Sequence, residues 1–116
     1  MKVATLKELL RADVVCGADQ MEEEVFSACG SDMMSDVLAY VKDQAVLLTG
    51  LVNSRVIRTA EMMDMRCVVF VRSKQPSEEM RALAEENGLI LLTTELRLYE
   101  ACGILYVNGL GNRRDV

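Results

Sequence analysis

Two aspartates and a serine stand close enough in the sequence to act on one substrate. Asp32 and Asp36 are four residues apart, so a helix through this segment would place both carboxylates on one face, with Ser31 just before them. A carboxylate pair performs acid–base catalysis only when burial separates the two pKa values. If Asp32 lies in the first turn of the helix, its charge is explained as well by the helix dipole. We favour the dipole, and keep Ser31, Asp32 and Asp36 as the residues of an alternative enzyme.

Cysteine chemistry is the second possibility. Four cysteines, at positions 16, 29, 67 and 102, form no C-x-x-C pair, and the chain contains no histidine. We therefore expect no metal, no cofactor and no catalytic residue, because such sites need clustered thiolates or imidazoles, and nucleophiles need a base. Cys29 precedes a predicted helix, where a thiol pKa can fall. A reactive Cys29 would suit an enzyme or a redox-responsive accessory subunit, whereas packing is the favoured interpretation.

Small and polar residues follow the predicted strands and form the candidate ligand site. Because ligands of open α/β sheets bind outside the carboxyl ends of the strands, near the switch in strand order, these residues could hold a small anion at helix N-termini. The alternative is ordinary helix capping. Neither of the two strong phosphate-binding motifs, GxGxxG and GxxxxGK[ST], occurs. The candidates are Gly30, Ser31, Asp32, Thr49, Gly50, Asn53, Arg55, Arg72, Thr93 and Thr94.

Apolar runs alternate with helical patterns and must position these residues. The runs are continuous, which is typical of strands covered by helices on both faces. The pattern predicts an α/β fold, a three-layer α/β/α arrangement with a mostly parallel sheet of about five strands, the last three in right-handed βαβ units. The direction of the first two strands stays open. The predicted strands are 13–16, 25–29, 45–49, 67–71 and 89–93.

Polar residues and proline mark where the helices should begin. A capping box from Thr5 to Glu8 predicts the first helix, and Ser31 and Asn53 are expected to cap the next two. Pro76 is expected near the first turn of the fourth helix, and Thr94 is expected to cap a fifth helix running to about residue 108. The second helix has an apolar stripe that includes Val41.

The last predicted helix is apolar nearly all round. A surface helix needs a single apolar stripe, so a second one predicts burial against another chain, most simply in a homodimer. The alternative is that one subunit covers both faces. The predicted interface residues are Leu98, Tyr99, Cys102, Leu105 and Tyr106.

Size and charge exclude several classes of protein. With 116 residues the chain fits one domain, 1–116, of which 108–116 is expected to be a flexible tail. A net charge of −5 without a basic stripe argues against nucleic acid and anionic membranes as partners. No apolar run approaches the roughly 18 residues that cross a bilayer, and the N-terminus does not read as a signal peptide, so a cytoplasmic location is expected.

The segment from Val25 to Leu110 resembles the DRTGG domain. The matching features are a small-residue loop before an M-x-x-D-x-L helix, a strand ending in Thr-Gly with Arg55 after it, a CVVFV strand and an I-x-L-L-T-T strand. Ser54 stands where the family has an aspartate, and Val71-Arg72-Ser73 replaces its paired glycines. The resemblance implies a fold similar to the N-terminal domain of HPr kinase/phosphorylase. It also implies an accessory, often dimerising domain without established chemistry of its own.

These observations together predict a non-catalytic regulatory or interaction module that acts as a homodimer. It would sense a small anionic or nucleotide-like ligand at the strand ends, or bind a protein partner. The alternatives are the small enzyme and the redox-responsive accessory subunit described above.

Overall fold

Five strands form one sheet at the centre of the structure. The computed structural model describes residues 1–40 and 45–110. The strands lie in the order β1-β5-β4-β3-β2. The last four along the chain pair in parallel, and β1 runs antiparallel to β5, which confirms the mostly parallel sheet and settles the two open directions. Their bounds are β1 Asp13–Cys16, β2 Ser27–Gly30, β3 Ala45–Thr49, β4 Cys67–Phe70 and β5 Ile90–Thr93.

Helices cover both faces of this sheet. On one face α1 contacts α5, and on the other α2 contacts α3 and α3 contacts α4. The three layers confirm the predicted architecture. None of the helices in the described ranges is long and apolar enough to span a membrane. The helices are α1 Val3–Leu10, α2 Met34–Tyr40, α3 Ser54–Met62, α4 Glu78–Glu86 and α5 Leu98–Val107.

Burial on both sides explains why the central strands are continuous apolar runs. Every residue of β3, β4 and β5 is buried. Successive side chains point to opposite faces, so Val46 and Leu48 pack under α1 and α5 while Leu47 packs under α2, α3 and α4. Each such side chain contributes about 1.5–3 kcal/mol of burial free energy. The edge strands β1 and β2 are only partly buried.

The structure corrects several predicted helix starts. The prediction that a capping box at Thr5 starts the first helix is wrong, because α1 already begins at Val3, after Lys2. Thr94 does not cap α5, which begins four residues later, after Arg97. The cap of α4 is Ser77, whose Oγ accepts the Met80 N–H, and Pro76 lies just before it. The Asn53 cap is confirmed, since its Oδ1 accepts the Arg55 N–H at 2.9 Å.

Two predicted segments differ in position from the structure. The second strand begins at Ser27 rather than Val25, because the buried Val25 instead anchors the chain start, its carbonyl accepting the Met1 amino group at 2.9 Å. At the other end Leu110 is buried and Asn108 Nδ2 donates to the Ile104 carbonyl, so this part of the predicted tail packs on α5. Val41 and residues 111–116 lie outside the described residues.

Candidate ligand site

Asp32 connects the loop after β2 to the loop after β3. Its Oδ1 accepts the Thr49 hydroxyl at 2.9 Å and the Gly50 N–H at 2.7 Å. The Gly50 N–H is the main reason that the pKa of Asp32 is lowered, and the Thr49 hydroxyl and the positive charge of Arg72 act in the same direction against partial desolvation. Two loops that are neighbours only through the sheet therefore share one ionised carboxylate.

Arg72 lies directly over Gly50. A Cβ at Gly50 would collide with the Arg72 guanidinium, so glycine is needed here for the guanidinium to approach the β3 loop. The Arg72 side chain makes no hydrogen bond or ion pair to any described residue, although its charge acts on Asp32. The N–H donors of this guanidinium thus stay available at the carboxyl edge of the sheet.

The backbone that carries Arg72 is strained. Arg72 and Ser73 have φ values of 57° and 58°, the left-handed region, which costs a non-glycine residue about 1–2 kcal/mol. The Arg72 N–H donates to the Leu96 carbonyl and the Ser73 N–H to the Thr94 carbonyl, both at 2.8 Å, and these bonds hold the conformation. Paired glycines would adopt it without strain. The chain therefore keeps a glycine-type backbone while carrying a guanidinium on it.

The threonine hydroxyls of the predicted site are used inside the protein. Thr49 Oγ1 donates to Asp32 and accepts the Leu51 N–H. Thr93 Oγ1 donates to the Lys74 carbonyl at 2.8 Å, and Thr94 Oγ1 donates to the Leu10 carbonyl at 2.7 Å. These hydroxyl protons fix loops to one another, which leaves them a supporting role at the edge of the sheet.

The remaining predicted residues are distributed along the same edge. Ser31 Oγ accepts the Met33 N–H at 3.0 Å, and Asn53 caps α3, which puts the exposed Arg55 in its first turn. Gly30 faces α5, because a Cβ there would lie 2.5 Å from Cys102 Sγ. The structure thus brings together Asp32, Thr49, Gly50 and Arg72. It places Thr93 and Thr94 at a separate cleft beside Ser73.

The predicted switch in strand order is absent from the described sheet. The four parallel strands follow chain order, β2 to β5, without reversal. The helix that follows β5 crosses to the other face of the sheet, because α5 covers the side opposite α2, α3 and α4. The antiparallel β1 adds residues that we did not predict, because it brings Asp13 opposite Thr93. No local sequence signal reports that direction.

The groups proposed for catalysis show little activation. The lowered pKa of Asp32 makes it a weaker base. Burial raises the pKa of Cys29, with smaller contributions from Cys102 and Asp36. The lowered thiol pKa that we expected from a position before a helix is therefore not found. Burial likewise raises the pKa of Cys102. No group of metal-ligating side chains occurs in residues 1–40 and 45–110.

The predicted interface residues of α5 divide into two sets. Leu105 is buried in its own subunit's core, and Leu98 and Cys102 pack partly against that core, so these three do not form a free face. Tyr99 is 89% exposed and Tyr106 54% exposed. Val107, which we did not predict, is 80% exposed.

No curated protein matches the chain. One similar solved structure contains the CBS and DRTGG domains of the regulatory region of Clostridium perfringens pyrophosphatase, complexed with the activator diadenosine tetraphosphate. The TM-score is 0.71 at 12% identity, over 90% of this chain and 45% of the other, which establishes similarity of fold. This chain thus corresponds to less than half of that one.

A family model gives the more specific result. The model of the DRTGG domain matches residues 5–106, nearly the whole chain and all five strands. The match extends the resemblance seen from Val25 onwards to include most of α1 and all of β1. The chain belongs to the DRTGG domain family.

Proposed function

We propose that this protein is a non-catalytic regulatory module that binds a small anionic, nucleotide-like ligand at the carboxyl edge of its sheet and acts as a homodimer. Membership of the DRTGG family supports a regulatory role. The pyrophosphatase structure of similar fold is a regulatory region in complex with a nucleotide activator. The four free cysteines support a reducing, cytoplasmic location.

The observation that carries the ligand proposal is the guanidinium of Arg72 over Gly50. An arginine whose N–H donors are not used by the protein can bind a phosphate or carboxylate with two parallel hydrogen bonds. Asp32 is close enough to interact electrostatically with Arg72, and hydrogen bonds to Thr49 and Gly50 fix the position of its carboxylate. The strained backbone under Arg72 supports the same interpretation, because strain tends to be retained at functional positions.

The homodimer proposal rests on α5. Tyr99, Tyr106 and Val107 leave a large apolar surface exposed on a helix whose other side is in the core. Gly103 lies on the exposed side, and apart from its two chain neighbours and the backbone of its own helix no atom lies within 4 Å of the position of a Cβ, so a second backbone could approach closely. A second copy of α5 would cover this surface.

The ligand proposal is tested by isothermal titration calorimetry with diadenosine tetraphosphate, ATP and inorganic pyrophosphate. We expect saturable binding of at least one of them and no binding of uncharged adenosine. Arg72→Gly keeps the left-handed backbone without strain and removes the side chain that carries the guanidinium. Loss of charge-assisted hydrogen bonds worth about 1.5–3 kcal/mol should weaken binding by roughly tenfold to a hundredfold.

Arg58→Ala is the matched control, because it removes an exposed arginine from the second turn of α3 and leaves the Arg72 loop intact. It should bind like the unmodified protein. If no phosphate probe binds, or if Arg72→Gly binds as tightly as the unmodified protein, the proposed ligand site is wrong.

A further inference from the structure

A second cleft opens at the carboxyl edge, on the side of the sheet where β1 joins β5. Three loops border it, the α1–β1 turn, the β4–α4 loop and the β5–α5 loop. Its volume is about 180 Å³, smaller than the roughly 300–1,000 Å³ of sites for drug-sized molecules. Arg72 and Gly50 do not line it, so it is distinct from the site proposed above.

Hydrogen bonds hold the three loops in one rigid frame. Thr94 Oγ1 binds the Leu10 carbonyl, and Thr93 Oγ1 binds the Lys74 carbonyl. The Ser73 N–H donates to the Thr94 carbonyl at 2.8 Å. The β1–β5 ladder sets Asp13 opposite Thr93. Side chains that border the cleft are therefore presented from a preorganised backbone.

Five polar side chains surround the cleft without using their polar groups elsewhere. In the described part of the chain none of them makes a side-chain hydrogen bond or ion pair. They offer one guanidinium, two carboxylates, a hydroxyl and an amide. The residues are Arg11, Asp13, Ser73, Gln75 and Glu95.

Two of these side chains are carried on backbone that favours glycine. Arg11 follows α1 with a φ of 50°, at the position where a helix commonly ends in glycine, and Ser73 has a φ of 58°. Asp64, which follows α3 with a φ of 56°, is a residue of the same kind that does not line the cleft. The protein thus places side chains at two strained positions around one small cleft.

We propose that this cleft binds a small zwitterion with a carboxylate and an ammonium group, of the chemical class of a free α-amino acid. The Arg11 guanidinium is suited to bind the carboxylate through two parallel hydrogen bonds. Asp13 and Glu95 then accept the ammonium protons, and Ser73 and Gln75 bind the polar remainder. Two carboxylates against one guanidinium repel a polyphosphate, and the volume excludes a nucleotide, so the ligand class differs from that of the Arg72 site.

The test is a titration followed by ¹H–¹⁵N NMR, with each proteinogenic L-amino acid added in turn at millimolar concentration. We expect saturable shifts with at least one amino acid at the amides of Asp13, Ser73 and Thr94. Propionate and ethylammonium carry one charge each and should bind at least about tenfold more weakly than the amino acid.

Substitution separates binding from folding. Arg11→Gly removes the guanidinium from a left-handed position, so the Tm should not fall while binding weakens by about tenfold or more. Asp64→Gly is the matched control, which makes the same change away from the cleft and should leave binding unchanged. The proposal is wrong if no amino acid gives saturable shifts, if the shifts map to other residues, or if Arg11→Gly binds normally. None of these outcomes bears on nucleotide binding at Arg72.

Discussion

At the scale of single residues, Asp32 has the most consequences for the site. One of its carboxylate oxygens accepts both the Thr49 hydroxyl and the Gly50 N–H. Its folded pKa is lowered, whereas the unfolded chain has a pKa of about 3.9 for aspartate, so the unfolded state binds more protons between the two values. The stabilisation by Asp32 is therefore complete above the unfolded pKa and is lost as pH falls through the folded pKa.

We expect Asp32→Asn to lower the free energy of unfolding by about 1 kcal/mol at pH 7, because the charge that strengthens both hydrogen bonds is removed. The difference from the unmodified protein should shrink towards zero as pH falls below the folded pKa. Urea denaturation from neutral to acid pH measures it. Asp36→Asn is the control, since it removes the same charge from α2 without affecting the Thr49 and Gly50 contacts. An equal loss in both variants would contradict the role given to these bonds.

At the scale of secondary structure, the packing of α5 on β2 depends on a glycine. A Cβ at Gly30 would lie 2.5 Å from Cys102 Sγ and 3.4 Å from Leu98 Cδ1, whereas Gly103 in the same helix has open space around it. The close approach lets α5 cover the end of β2, beside the loop that holds Asp32. A side chain at Gly30 would therefore clash, whereas one at Gly103 would have room within the chain.

Gly30→Ala should destabilise the fold by about 1–3 kcal/mol, the usual cost of overpacking. Within a single subunit Gly103→Ala should instead stabilise the fold by about 0.5–1 kcal/mol, because alanine is the better helix former and meets no neighbour in its own chain, so the comparison is made below the concentration at which the dimer forms. Chemical denaturation compares the two. The double variant Gly30→Ala/Cys102→Ala should recover part of the loss, and failure to recover would mean that the contact with the sulfur is not the cause.

At the scale of the whole molecule, the two sheet faces differ in how completely they are covered. The face under α2, α3 and α4 is closed by three helices in chain order, whereas the other has α1 and α5. The Arg72 loop is hydrogen-bonded to the β5–α5 loop through Leu96 and Thr94. A ligand at Arg72 would thus bind to a loop that is hydrogen-bonded to the segment leading into α5.

In sedimentation equilibrium the protein should have twice the 12.9 kDa mass of the chain at micromolar concentration. The double variant Tyr99→Glu/Val107→Glu should reduce the mass to that of one chain, because two charges would be buried in the interface. Met62→Glu is the control, since Met62 is exposed on α3 at the opposite face. A strict monomer before substitution would refute the homodimer.

The α/β class and most element positions follow from local physics that the sequence carries. The runs at β3, β4 and β5 are apolar throughout because both faces are covered, and this pattern predicts strands in a parallel sheet without any knowledge of contacts. The Asn53 cap was also predictable from local sequence, because the N–H that it accepts lies only two residues away. Thr94 was misplaced because its hydroxyl binds Leu10, 84 residues distant.

The candidate sites depend on contacts that only the tertiary structure decides. Arg72 follows a strand in the sequence, but its place over Gly50 depends on the pairing of β3 with β4 and on a left-handed backbone held by the β5–α5 loop. The cleft at Arg11 exists because β1 runs antiparallel to β5, a direction with no local signal. By itself the sequence determined which residues stand at the strand ends. Long-range hydrogen bonds then decided which of them support the loops and which keep free charge for a ligand.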